Sequence, residues 1–186
     1  EAGESLHVAA TLIDSGGHHT DDVYRFTAKR EWRNVFACAG HAGAGRQIVT
    51  RPKRTKKSSI QNATVVIVGV DSAKDQLYDW LTKEVPCPGY CHFPLRDGYD
   101  DEYFAQLTAE KRVRRWVRGQ LQWGYKKVRE RNEALDTRIY ARAALNLVGV
   151  DVDKMAEAGV KFMRNVARPV ARISQGLRTI SKGVKL

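Results

Sequence analysis

The chain has 186 residues, 42% of them hydrophobic, enough for one ordinary domain with a core and an appended tail but not for two full domains. Its formal charge of +11 lies outside the usual range for a metabolic enzyme and points to a polyanionic partner, nucleic acid before an acidic membrane surface. The longest apolar run, VVIVGV at 65–70, is far too short to cross a bilayer, and the polar opening EAGES does not read as a secretory signal. Cys38, Cys87 and Cys91 do not make an even disulfide set, which favours a reducing, intracellular compartment. The missing initiator Met suggests a segment of a longer protein.

In chain order, LHVAATLI at 6–13 has the pattern of a strand buried on both faces and ends in the turn Asp14-Ser15-Gly16-Gly17. TDDVYRFTAKREW predicts a helix capped by Thr20, with Val23, Phe26 and Thr27 on one face, returning to a strand at VFACAG, 35–40. Residues 41–61 are basic and free of acids, the composition of a loop or hairpin. A second buried strand, ATVVIVGV at 63–70, is closed by Asp71 and followed by a helix over SAKDQLYDWLTKEV. The prolines of VPCPGYCHFP make 85–94 loop and short extended structure.

The stretch from Tyr103 to Arg118 reads as a helix with Phe104, Leu107, Val113 and Val117 inward, and QLQWGYKK as an edge strand with Trp123 and Tyr125. The next helix, opened by NEALD with Asn132 as cap, runs to about Val148, with Leu135, Ile139, Ala143 and Leu147 one turn apart and Gly149 closing it. Residues 1–149 are thus expected to form the domain. Residues 150–186 form a basic amphipathic tail suited to folding on a partner. The alternation of strands and helices predicts an α/β fold with a mixed sheet flanked by helices, and ligands bind at the carboxyl ends of parallel strands. Asp14 and Asp71 are both expected there.

Exposed carboxylates beside a polyanion-binding surface call for a neutralising partner, and a divalent metal is one. Mg²⁺ or Mn²⁺ held by carboxylate oxygens, two ions about 4 Å apart, activates water and stabilises the leaving oxygen in phosphodiester cleavage. Asp136, in the first turn of its helix, can deliver a third carboxylate, with Glu133 one turn earlier. The competing reading has Glu133 and Asp136 pairing with Arg129 and Arg138, and Asp14 and Asp71 capping helices. His18 and His19 either touch metal or phosphate or are solvated turn residues. Cys87, Cys91 and His92, with Cys38 or His41, make only a thin zinc pattern, and Ser15 has no His-Asp partners set by spacing.

Gly40, Gly43 and Gly45 precede Arg46 rather than Lys-Ser or Lys-Thr, so no nucleotide site is expected in this chain. Phosphate contacts are expected from Arg46, Arg51, Lys53, Arg54, Lys56 and Lys57 in the first basic stretch. Lys74, then Arg115, Lys126, Lys127, Arg129 and Arg131 add to them. Trp116 and Trp123, interleaved with the second set, are expected to pack in the core rather than stack on bases.

ATLIDSGGHHTDDVYRF, VGVDSAKDQLYDWL, HFP, QLTAEKRV and KKVRERNEALDTRIYARAAL, in this order over residues 6–148, resemble the nuclease region of the large terminase subunit of lambda-type tailed phages, the GpA family. DSGGHHT, LTAE and RNEALD are its most specific pieces. The resemblance implies an RNase H-like fold and a metal-dependent endonuclease that cuts concatemeric viral DNA during packaging in the host cytoplasm. It matches the family's second and third metal-binding acids to Asp14 and Asp136 and leaves Asp71 a supporting acid. It also implies a double-stranded DNA substrate, a small terminase subunit as partner, and a portal contact for the tail. The family's first acid and its ATPase motor would lie upstream of this chain, leaving the fold incomplete at its amino-terminal side. A DNA-binding or docking module without catalysis is the alternative.

Overall fold

The computed structural model describes residues 7–50, 53–54, 63–117 and 119–149. In chain order its elements are β1 (Thr11–Asp14), α1 (Thr20–Ala28), β2 (Val35–His41), β3 (Lys53–Arg54), β4 (Thr64–Gly69), α2 (Val70–Leu81), α3 (Asp101–Leu107), β5 (Glu110–Val117), β6 (Gln120–Lys127) and α4 (Glu133–Val148). The tail read from the sequence at 150–186 lies outside the described residues. The rest divides into two compact units, one with residues 7–39, 53–54, 63–67 and 143–149, the other with 40–50, 68–117 and 119–142.

The first unit is built on a four-stranded sheet of order β1-β2-β4-β3. β1 runs parallel to β2, Thr11 opposite Val35 and Asp14 opposite Cys38, while β3 is antiparallel to β4. The expected α/β character with a mixed sheet is therefore present. The apolar content of VFACAG and ATVVIVG is spent in this core: Phe36, Ala37, Cys38, Val65 and Val66 are all buried. β1 is shorter than LHVAATLI suggested and only half-buried, because it is an outer strand with one hydrogen-bonded neighbour among the described strands.

α1 supplies the crossover from β1 to β2. Thr20 is its first residue rather than its cap; the Thr20 hydroxyl donates back to Ser15 O at 2.7 Å and Gly17 O at 2.9 Å, bracing the DSGG turn. Of the expected inner face, Thr27 is buried but Phe26 is exposed beneath the Arg30 guanidinium, 3.8 Å from its ring centroid. A single 3-10 turn at Glu31–Arg33 follows, and Asn34, in the left-handed region at φ 57°, turns the chain into β2. The Glu31 carboxylate accepts from Thr64 N at 2.6 Å and fastens that turn to β4.

The second unit gathers α2, α3, the β5–β6 hairpin and the first turns of α4. Leu77, Leu107, Leu135 and Ile139 are buried, each worth roughly 1.5–3 kcal/mol relative to exposure. The apolar row of α4 lies where its spacing put it, with Leu135, Ile139, Ala143 and Leu147 at most 1% exposed. Gly149, at φ 67°, closes that helix with its N–H shared between Leu145 O and Asn146 O.

One expectation fails outright. Residues 103–118 are not one helix: α3 stops at Leu107, and EKRVRRWV becomes β5, paired antiparallel with β6 from Glu110↔Lys127 to Val117↔Gln120. β6 accordingly pairs in this separate ribbon, not with the larger sheet. The spacing of Phe104, Leu107, Val113 and Val117 fits a helix, but Phe104 and Val117 are exposed and Val113 only half-buried. Cross-strand pairing with residues up to 17 positions away decides the segment, and local periodicity does not see it.

Candidate functional site

Asp14 is the last residue of β1, and its carboxylate is exposed. Its Oδ1 accepts from Gly16 N at 2.9 Å, a tight turn that fixes the side chain beside its own backbone. The turn itself is anchored by Ser15, buried, whose hydroxyl donates to Cys38 O at 2.7 Å. That bond gives Ser15 a structural task, in keeping with the lack of a hydrolase pattern around it. Opposite Asp14, the Cys38 thiol is fully buried, and burial, reinforced by the Asp14 charge, pushes its pKa up to about 12. Cys38 is therefore a neutral, inert thiol. His18 and His19 are exposed on the same turn, with His19 Nδ1 3.7 Å from the Asp22 carboxylate.

In the second unit Asp71 occupies the first turn of α2, two residues past the end of β4, and is 5% exposed. Its Oδ2 accepts from Gly43 N at 2.9 Å, so this acid holds the loop that follows β2. The same loop crosses close above β4: Gly69 N donates to Ile48 O at 3.1 Å, and Val49 forms an antiparallel bridge with Val68. A methyl group on Gly69 would stand 2.4 Å from Gln47 O, so only glycine admits that crossing. Within the stretch at 41–61, Val49 and β3 thus pair antiparallel with β4, and residues 51–52 and 55–61 lie outside the described residues.

Asp136 lies in the first turn of α4 and is half-buried. It shares a helix face with Tyr140, one turn on. The Tyr140 hydroxyl and the Val70 side chain converge on Gly40, where an added Cβ would lie 3.2 Å from the hydroxyl and 3.0 Å from Val70 Cγ1. Gly40 therefore lets the end of β2, the start of α2 and this face of α4 meet, bringing the neighbourhoods of Asp71 and Asp136 to one corner. Glu133 is exposed and pairs with Arg131 at 3.4 Å. Arg129 pairs with Glu102, and Arg138 lies over the Phe93 ring at 5.5 Å.

A network not anticipated from the sequence secures the start of α4. Glu110, at the head of β5, pairs with Lys74 of α2 at 2.7 Å, both side chains at most 10% exposed. Its other oxygen accepts from Asn132 Nδ2 at 3.2 Å, and Tyr78 Oη donates to its backbone carbonyl at 3.1 Å. Burial is the main cause that pushes the Tyr78 pKa up to about 12. Gln106 Oε1 accepts from Ala134 N at 3.3 Å, capping α4 from α3. Glu110 lies in LTAE, one of the specific matched pieces, so the signal for its importance was present while its buried role was not legible.

The basic residues divide by environment. Lys126, Lys127, Arg131 and Arg46 are exposed, although Arg46 Nε also donates to Ala42 O at 2.9 Å. Arg115 donates to Tyr125 O at 2.8 Å, across the hairpin. Lys74 departs from the set, since its buried ammonium is committed to Glu110. Lys53 and Arg54 form β3, while Arg51, Lys56 and Lys57 lie outside the described residues. Trp116 and Trp123 are not core residues: they are 74% and 42% exposed, because the hairpin that carries them projects its far end into solvent.

Among the described residues no three His, Cys, Asp or Glu side chains are grouped to hold a metal ion. None of the described helices is long and apolar enough to cross a membrane.

These observations describe a basic α/β protein with a strand-end carboxylate in its first unit, and a helix-start carboxylate and a cationic hairpin in its second. The model of the endonuclease domain of the terminase large subunit gpA matches residues 1–156, and the chain belongs to that family. The large terminase subunit of Escherichia phage lambda is 33% identical over 152 residues, a match covering 78% of this chain and 23% of that protein. That of Enterobacteria phage P21 is 28% identical over 151 residues, with the same coverage of 78% and 23%. The chain therefore spans about a quarter of the length of these relatives. No solved structure matches.

Proposed function

We propose that this chain is the endonuclease portion of a packaging terminase, cutting concatemeric double-stranded viral DNA by divalent-metal-dependent phosphodiester hydrolysis on an RNase H-like scaffold. The observation that carries this reading is the family match across residues 1–156. Asp14 and Asp136 are the metal-binding acids. Both offer carboxylate oxygens, the donor type that Mg²⁺ and Mn²⁺ take, with water and substrate phosphate filling further positions. Bound metal supplies an activated water and a counter-charge for the leaving oxygen.

What the chain's own residues contribute follows from their surroundings. The Gly16 amide orients the exposed Asp14 carboxylate, and the Glu110–Lys74–Asn132 network fixes the helix start that carries Asp136. Asp71 supports the corner through Gly43 rather than binding substrate. Lys126, Lys127 and Arg131 meet phosphates, an interaction that weakens as salt rises. The assembly read with this activity comprises the small terminase subunit, a portal docked by the tail at 150–186, and the host cytoplasm as the place of action.

A second reading, a DNA-binding or docking module without catalysis, draws on the structural duties of Asp71 and Glu133. Nicking of supercoiled plasmid in Mn²⁺, Mg²⁺ and EDTA separates the two. Metal-dependent nicking, lost in folded Asp14→Asn and Asp136→Asn variants, is the expected result. Nicking that survives both substitutions rejects these acids as ligands, and salt-sensitive binding without any nicking favours the second reading.

A further inference from the structure

The β5–β6 hairpin is clamped at one end and bare at the other. At its base Tyr125 is buried and its hydroxyl donates to Asp75 at 2.8 Å, Arg112 lies 3.4 Å from the same carboxylate, and Glu110 is locked to Lys74. At its far end Trp116 stands directly opposite Leu121, 74% and 50% exposed. Such an apolar pair on an otherwise cationic ribbon has no role in a core.

Pairing places Arg114 opposite Trp123 and on the same side as Trp116 and Leu121. The guanidiniums of Arg112 and Arg114 lie 4.8 and 4.6 Å from the Trp123 ring, an arrangement that orders both planar cations before any partner arrives. On the other side Lys111 faces Lys126 across the strands. Like charges directly opposite one another are unfavourable in the free protein, and an anion between them relieves that. Cations thus project from both sides of a two-stranded ribbon with an apolar tip.

We propose that this hairpin enters the major groove of duplex DNA, its Lys and Arg side chains on the phosphates of the groove walls and Trp116 with Leu121 against base edges and thymine methyls. A two-stranded ribbon fits a groove about 12 Å wide, and eight residues per strand at about 3.3 Å each give it the reach. The charge of the ribbon selects a polyanion, and the paired apolar tip selects a partner that offers apolar surface between two rows of phosphate. The inference rests on double-stranded DNA being the substrate of the proposed function, but it does not depend on cleavage.

The test is binding of a fluorescent 30-base-pair duplex (about three helical turns) by the full 186-residue chain in EDTA, across a salt series, by polarisation. Trp116→Ala with Leu121→Ala is expected to weaken binding ~10-fold with an unchanged salt dependence, and Trp116→Phe to recover most of it. Lys111→Gln with Arg114→Gln is expected to lower the slope of log affinity against log salt by about two. Circular dichroism checks that each variant is folded. Unchanged affinity in the tip variant means the tip serves a protein partner and overturns the proposal, as does failure of the parent to bind. A parent chain that binds duplex with tip dependence but nicks no plasmid in Mg²⁺ or Mn²⁺ would reject the nuclease reading and leave the hairpin's role standing.

Discussion

One aspartate ends β1 and another lies two residues past the end of β4, yet the two acids live differently. Asp14 is exposed and touches mainly its own turn, whereas Asp71 is 5% exposed and holds a loop 28 residues away in sequence. An acid after a strand can thus be presented for chemistry or consumed by the fold, and burial with its hydrogen-bond partner tells which. The region beyond β4 is the stabilising one, since Gly69, Asp71 and Lys74 all carry tight contacts within six residues of one another.

This contrast can be broken by substitution. Lys74→Met strands the buried Glu110 carboxylate and is expected to cost about 3–5 kcal/mol by urea denaturation, with much of the loss recovered when Glu110→Gln is added. Gly69→Ala drives a methyl against Gln47 O and should cost about 1–3 kcal/mol in the same measurement. Asp71→Ala leaves the Gly43 amide without its acceptor, for a loss of about 1–3 kcal/mol.

High pH probes both regions at once. Burial pushes the Cys38 thiol, beside Asp14, and the Tyr78 hydroxyl, in α2, up to about 12 from their ordinary values of 9.0 and 10.0. Both are neutral when protonated, and their folded pKa values lie above the unfolded ones. Their contribution is therefore complete below the unfolded values and is lost as pH rises toward 12. Melting temperature should fall over that window, and Tyr78→Phe should remove its own share of the slope. The smallest effect on stability is expected for Asp14→Asn, within about 0.5 kcal/mol, while plasmid nicking disappears. A large stability loss there would erase the distinction between the two strand ends.

Much of the scaffold was legible because its signals are local. The one-turn spacing of Leu135, Ile139, Ala143 and Leu147 states a buried helix face, and VFACAG and TVVIVG state buried strands. The hairpin was not legible, since β5 exists only through β6, and its valines mimic helical spacing. The same holds for the site. Asp14 could be placed at a strand end from DSGG alone, but the fate of Asp71 depends on Gly43, and that of Lys74 on Glu110, 36 residues on. Trp116 and Trp123 misled because aromatic content reads as core, whereas the hairpin leaves both rings exposed.

The cap that Gln106 places on Ala134 ties the first turn of α4 to the docking of α3. A peptide spanning α4 alone lacks that acceptor, so its first turn should fray in isolation even though its apolar row is intact. In the whole protein the Ala134 amide exchanges its hydrogen with solvent only when Gln106 swings away, at a rate set by the opening of a neighbouring helix. That single amide makes a clock for the assembly of the helix start, readable by deuterium uptake without any substrate present.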